Sequence, residues 1–526
     1  MTTVSRTNYH SPFTIFFPPR KLCNSLIDVV TFLVVAIIYG LFALYQFDHN
    51  DFMYSSAAHR SGMLYQDNHY IQAPLGYYFF HMVALLSPLG WSYPIMRFIS
   101  TSLMLATIAV LAGRFLESRL MRCAFYLLVC TSSNLLGIGG EIGTYTLALF
   151  FVSLGYAALF TRWPTYSRYG IAGLFIGLAA STKLYHLVLG VPILWLIWTD
   201  RTNSGLFRPA LAAAIGGCLG TVLIFVFFLS EPMAFMLHNF IYHTQMMVPA
   251  RDGGWLYNLR AVPYELSKFG LFHFAALIGA IWYFIFHLKN RPRCLTFLLL
   301  AVLTAVVMSM TPLKIYPQYL APASILIFLL YCCVAERVES GYRGLYFAPI
   351  ILVAMVGARN NFDWLASAIK TTTPPVIQVV SINKALAEFR AAHKLCDDGI
   401  FSLEGGLAID SGFKLTQYTE AGEFWQFVNG YVPEIFFTNA AYHLPRDLIE
   451  PAKWVVASRV PFWLIGYYQQ SQTETDLRQA AHRLGYETIH IGKLNIGNLN
   501  LTKFEDHPID LIYDPRCAIP GAPNAS

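Results

Sequence analysis

The chain has 526 residues, 56% of them hydrophobic and only 13% charged. A soluble domain carries about 25% charged residues, so ordinary core burial does not account for the shortfall. The formal charge of +6 lies in short loops between apolar runs, and no basic tract of the kind that holds nucleic acid is present.

The first 25 residues hold Arg6, Arg20 and Lys21 and lead into a full-length apolar run at 26–46. A cleaved leader has a shorter h-region and a small-residue cleavage site, so this run is expected to be a retained anchor. A span needs about 20 apolar residues. Further candidates lie at 95–113, 123–137, 144–160, 169–182, 185–199, 209–229, 269–287, 295–311, 318–335 and 345–358, which gives about eleven. Residues 74–89, PLGYYFFHMVALLSPL, are apolar but short and bounded by prolines, which suits an interfacial helix. Neither an internal repeat nor broken mid-bilayer helices are evident.

Lys and Arg mark the cytoplasmic side of membrane proteins. With the N-terminus inside, that side holds fifteen of them, among them Arg114, Arg119, Arg122, Lys289 and Arg337. The short connections opposite hold Arg60, Lys183, Arg251, Arg260, Lys268 and Lys314. An odd number of spans then puts residues 359–526 outside the cytoplasm as a soluble domain. It opens on the linker TTTPP at 371–375 and reads as mixed α/β. Residues 476–492 suggest an amphipathic helix, a Gly turn and a strand, and WVVAS at 454–458 suggests another strand. Seven of the nine cysteines lie in or beside apolar runs as small hydrophobes. Cys396 and Cys517 lie in the soluble part and can pair if it is outside the cytoplasm. No CxxC or His/Cys cluster suggests zinc.

Chemistry concentrates in the first external loop, within 47–94. Asp48 and Asp51 leave the first span at i, i+3 spacing, on one face of a helix. A carboxylate there is either a general base or a solvated helix end. Glu141, in GIGGEIGTY at 137–145, falls on the same side between two apolar helices, where an acid is costly unless used or paired. Lys183 and Lys314, with His238, His243, Arg251 and Asp252, gather on that face. Such cations either bind a phosphate or snorkel to headgroups. The five-residue spacing of His238 and His243 does not suit a helical metal pair.

The loop resembles that of the C-type glycosyltransferases, in the branch of the protein O-mannosyltransferases and the lipid A aminoarabinose transferase. Asp51 is followed by Tyr54 and Arg60, then Gly62, Tyr65 and Asp67, and Pro74-Leu75 opens the interfacial helix. Arg97, Glu141 and Lys183 stand at matching places, as does the K-x-Y-P-x-Y-x-x-P run at 314–322, with Lys314 and Tyr316. The resemblance covers most of the membrane part. Two features depart from it: Phe52 follows Asp51 where a tandem acid is usual, and Ala73-Pro74 stands for Pro-Pro. Asp48 and Asp51 therefore both remain candidates for the base.

The resemblance implies a polytopic helical membrane protein, with an α/β domain after residue 358. It implies an inverting enzyme that takes a sugar from a polyprenyl phosphate donor to a lipid, glycan or protein acceptor. Asp51 or Asp48 would take the acceptor proton, with Glu141 as the second acid. Arg60, Lys183, Lys314 and Tyr316 would hold the donor phosphate, and Tyr54, Tyr65 and Asp67 would shape the substrate loop. No metal ligand set is assigned, although aspartates beside a phosphate leave room for a divalent cation. The compact loops suit a bacterial inner membrane with a periplasmic active face. A transporter or flippase, or a polymerase, of lipid-linked glycans is the alternative from another class.

Overall fold

In the computed structural model, the described residues are 26–46, 64, 72–88, 90–246, 292–310, 317–338, 355, 358–359, 361–370, 373–393, 396, 399–402, 405–416, 451–466, 472–496 and 505–517. The first helix, α1, runs Leu26–Tyr45, and the short apolar α2 runs Pro74–Leu86. Then come α3 (Ser92–Phe115), α4 (Arg119–Thr131), α5 (Ser133–Gly140) and α6 (Thr144–Leu159). Next are α7 (Thr165–Thr182), a 3-10 segment at Leu184–Gly190, α8 (Val191–Ser204), α9 (Phe207–Gly220) and α10 (Val222–Ser230). A short α11 (Pro232–Met236), α12 (Arg293–Ser309) and α13 (Ala321–Ala335) complete the apolar part.

Among the described residues, α1, α3 and 318–335 are long and apolar enough to cross a membrane. The pairs α4–α5, bent by 79°, and α9–α10, bent by 55°, each pass as one interrupted span, making up to five. These breaks were not visible in the sequence. The expected span 269–287 and nearly all of 345–358 lie outside the described residues. The expected interfacial helix at 74–89 is the 13-residue α2, with Pro74 in its first turn.

α13 is buried along its whole length within the bundle. That explains why it is apolar all round rather than amphipathic. α1, α9 and α10 turn Leu26, Ile37, Leu219 and Leu229 outward, as helices facing lipid do. A buried ion pair ties the N-terminal end of α1 to α4, with Arg122 Nη2 2.6 Å from Asp28 Oδ2. Asp200 on α8 accepts from Tyr169 of α7 at 2.8 Å and from Arg293 of α12 at 2.6 Å. α7 and α9 touch backbone to backbone. A Cβ on Gly216 would lie 1.9 Å from the Gly170 carbonyl, so only glycine permits this approach.

Helix 361–370 packs into the same core, with Trp364 stacked on Phe42 of α1 at 5.1 Å. A second core then forms around α14 (Pro375–Ala392), α15 (Pro451–Ala457) and α16 (Gln472–Leu484). The strands are β1 (Gly399–Ser402), β2 (Lys414–Leu415), β3 (Phe462–Ile465), β4 (Glu487–Ile496) and β5 (Glu505–Tyr513). The sheet order is β2-β1-β3-β5-β4. β1 pairs in parallel with β2 and β3, and β5 runs antiparallel to β3 and β4.

The expected helix, turn and strand over 476–492 are present as α16, Gly485 and β4. Gly485 takes φ +71°, its N–H donates to the His482 carbonyl and the Tyr486 N–H donates to that of Ala481, which is a Schellman ending. The expected strand at 454–458 is instead the helix α15. The central position in the sheet goes to Phe462–Ile465, buried at all four residues. A strand covered on both faces needs such an unbroken apolar run, whereas 451–457 buries only the side carrying Trp454 and Val455. Cys396 and Cys517 form a disulfide across 121 positions.

Candidate functional site

The last carbonyls of a helix lack intrahelical partners and carry partial negative charge. At the end of α1 the buried Arg97 of α3 satisfies them. Its Nε donates to the Ala43 carbonyl at 2.8 Å and its Nη2 to the Gln46 carbonyl at 2.9 Å. Its Nη1 donates to the Tyr93 hydroxyl at 2.9 Å. Two bonds from one guanidinium thus fix the end of α1 through residue 46.

Gln46 extends this order to the second acid. Its Nε2 donates to Glu141 Oε1 at 2.8 Å. Glu141 follows α5, whose last residues are Gly139 and Gly140. A Cβ on Gly139 would fall 2.3 Å from Tyr39 Cε1, so glycine lets this turn lie against α1. Thr101 of α3 secures it by donating to the Gly139 carbonyl at 2.8 Å.

Three residues later Thr144 and Tyr145 open α6. Thr144 Oγ1 donates to Gln72 Oε1 at 3.2 Å, which holds the chain entering α2. Tyr145 faces Lys183, which ends α7. The Lys183 ammonium lies 3.6 Å from the Tyr145 ring centroid and 5.4 Å from those of Tyr185 and Tyr319. Lys183 is 6% exposed and forms no ion pair among the described residues. His186 stacks on Tyr185 at 4.6 Å, and the Tyr319 carbonyl accepts from Ser309 Oγ at 2.7 Å.

Of the residues singled out in the sequence, Glu141 lies within segment 139–145 and Lys183 packs on Tyr145 at its end. Asp48, Asp51, Tyr54, Arg60, Tyr65, Asp67, Lys314 and Tyr316 lie outside the described residues. In the chain, Gln46 and Gln72 stand on either side of residues 47–71. His238 is buried, with Nδ1 2.8 Å from the Ala234 carbonyl of its own helical turn. Among the described residues no three His, Cys, Asp or Glu side chains converge as a metal site requires.

Sequence reasoning missed Gln46, Gln72, Tyr145, Tyr185 and the part of Tyr319. A partial signal was present: a tyrosine follows both of these charged residues within four positions, at Tyr145 after Glu141 and at Tyr185 after Lys183. Buried cations are stabilised by aromatic faces.

No protein-family model matches the sequence, and no curated protein matches it. Among solved structures, ArnT from Cupriavidus metallidurans bound to undecaprenyl phosphate aligns over 94% of this chain and 99% of its own, with TM-score 0.58 and 14% identity. Its apo form aligns over the same shares with TM-score 0.57. The chain has the fold of ArnT. That likeness spans both the helical part and the sheet-bearing C-terminal part, and together with the long apolar helices it supports an integral membrane protein. Within the ArnT-like frame, five separated stretches meet at one end of the bundle: residue 46, residue 72, residues 139–145, residues 183–186 and residue 319.

Proposed function

We propose that the protein is an inverting glycosyltransferase that moves a sugar from a polyprenyl phosphate to a lipid, glycan or protein acceptor at the periplasmic face of a bacterial inner membrane. The observation that carries this is the end-to-end agreement of fold with ArnT in its undecaprenyl-phosphate-bound structure. Lys183 supports it. Among the described residues the buried Lys183 ammonium meets aromatic faces and no carboxylate, and a phosphate oxygen would compensate its charge.

In this reading Asp51, or Asp48, removes the proton from the acceptor hydroxyl. The hydroxyl oxygen bonds to the anomeric carbon from the side opposite the phosphate, and the bond from carbon to phosphate oxygen breaks. Configuration inverts and free polyprenyl phosphate leaves. Lys183, with Arg60, Lys314 and Tyr316, takes up the charge that develops on the phosphate. Glu141 is the second acid beside the base, and Tyr54, Tyr65 and Asp67 line the substrate loop. The pairing of Cys396 with Cys517 supports a location outside the cytoplasm for the C-terminal part, since disulfides persist in oxidising compartments.

The bent pairs α4–α5 and α9–α10 are features that a transporter of lipid-linked glycans would share. One assay separates the two readings. The protein in nanodiscs is offered a panel of polyprenyl-phosphate sugars with membrane extract as acceptor, alongside Asp51→Asn. Release of free polyprenyl phosphate by wild type and not by Asp51→Asn is the expected result. No release with any donor, together with movement of a labelled lipid glycan across proteoliposomes, would replace the enzyme with a transporter.

A further inference from the structure

The N-terminus of α3 has no capping side chain of its own, because its N-cap position is Trp91. The cap comes from the C-terminal part, 318 positions along the chain. Asp410 Oδ2 accepts from the Ser92 N–H at 3.0 Å and the Tyr93 N–H at 3.4 Å, and Oδ1 accepts from the Ser92 hydroxyl at 2.6 Å. Asp410 is 3% exposed, and its own N–H donates to Asn383 Oδ1 of α14 at 3.0 Å. A carboxylate at this position satisfies orphan N–H groups and complements the positive end of the helix.

Tyr93 links this cap to the candidate site. Its N–H meets Asp410 and its hydroxyl accepts from Arg97. Arg97 holds the last carbonyls of α1, and Gln46, one of those carbonyl residues, holds Glu141. The contacts Asp410, Tyr93, Arg97, Gln46 and Glu141 are thus continuous, each made by a hydrogen bond of 2.8 to 3.4 Å.

We propose that Asp410 is a positioning residue: through the start of α3 it makes the C-terminal part set the end of α1 and the placement of Glu141. This rests on the glycosyltransferase reading for its kinetic consequence but not for its structural one. A C-terminal part that only docked on the bundle would need apolar contact. Tyr77, Phe80, Tyr93 and Met96 already share a core with Val379, Leu386 and Ile400 and supply it. The buried carboxylate is an addition to that contact, aimed at the one helix whose second turn carries Arg97.

The test compares wild type, Asp410→Ala and Asp410→Asn in nanodiscs by amide hydrogen exchange and by transfer kinetics. Asn retains an acceptor oxygen and caps helices well. In Asp410→Ala, amides at 43–46 and 139–141 are expected to exchange at least about five-fold faster, with α13 unchanged. Its kcat is expected to fall about 10-fold with donor KM within about two-fold. Asp410→Asn should restore most of both losses. Unchanged exchange at 43–46 and 139–141 would overturn the proposal, as would equal acceleration in α13, which reports general loosening. If exchange changes as expected but wild type turns over no polyprenyl-phosphate sugar, the positioning role stands and the enzymatic reading fails.

Discussion

Lys183→Met should make the protein more stable and a poorer binder of its donor. The ammonium is 6% exposed and sits 3.6 Å from the Tyr145 centroid. A desolvated contact of this kind contributes about 2 kcal/mol, while removing an ammonium from water costs several kcal/mol. Met has nearly the same length and no charge, so it keeps the packing among Tyr145, Tyr185 and Tyr319 and removes the desolvation cost. A gain on the order of 1 kcal/mol follows, which raises Tm by about 1–3 °C. A charge-assisted bond to a phosphate oxygen contributes about 1.5–3 kcal/mol, so Kd for polyprenyl phosphate should rise about 10- to 150-fold. Both quantities can be read from one set of thermal scans in nanodiscs, with and without polyprenyl phosphate. Ligand should shift the wild-type midpoint upward and leave that of Lys183→Met nearly unmoved. An equal ligand-induced shift in both proteins would refute the reasoning, because Lys183 would then be an anchor to the aromatic residues and nothing more.

Arg97→Met removes three hydrogen bonds and strands two buried carbonyls; a loss on the order of 3–5 kcal/mol is expected, checked by thermal unfolding of the detergent-solubilised protein. Two glycine substitutions should act with opposite sign. Gly216→Ala forces α7 and α9 apart at a 1.9 Å clash and should destabilise by about 1–3 kcal/mol, whereas Gly40→Ala, with nothing within 4 Å, should stabilise by up to about 1 kcal/mol in the same assay. Cys396→Ser with Cys517→Ser opens a 121-position loop and should cost the C-terminal part about 2–5 kcal/mol, seen as faster limited proteolysis after residue 393.

The apolar helices were legible in the sequence because lipid imposes a length and a composition on every span, and that constraint is local. α1, α3, α12 and α13 lie within a few residues of their expected limits for this reason. The Gly485 turn was legible because helix, glycine and strand are neighbours in the chain. The strand misplaced at 454–458 shows the opposite case. WVVA and FWLI have similar local propensity, and the position between β1 and β5 selects the second because all four of its residues can be buried. The breaks at 132 and 221 were not legible either: Ser132, Ser133, Asn134 and Thr221 are polar, but each pair stays apolar enough to pass as one span.

The sequence by itself determined that this chain is a membrane protein with a sheet-bearing C-terminal part. It also marked Glu141 and Lys183 as charges beside apolar helices that need a reason to be there, since an ionisable group among apolar residues is costly wherever it falls. Only the tertiary structure decided what surrounds them. Gln46 at Glu141, three tyrosines at Lys183 and Asp410 on α3 come from stretches of chain up to hundreds of residues apart. Partnership between such groups is a matter of distance in space. Packing of the helices and of the C-terminal part fixes that distance, and no local pattern records it.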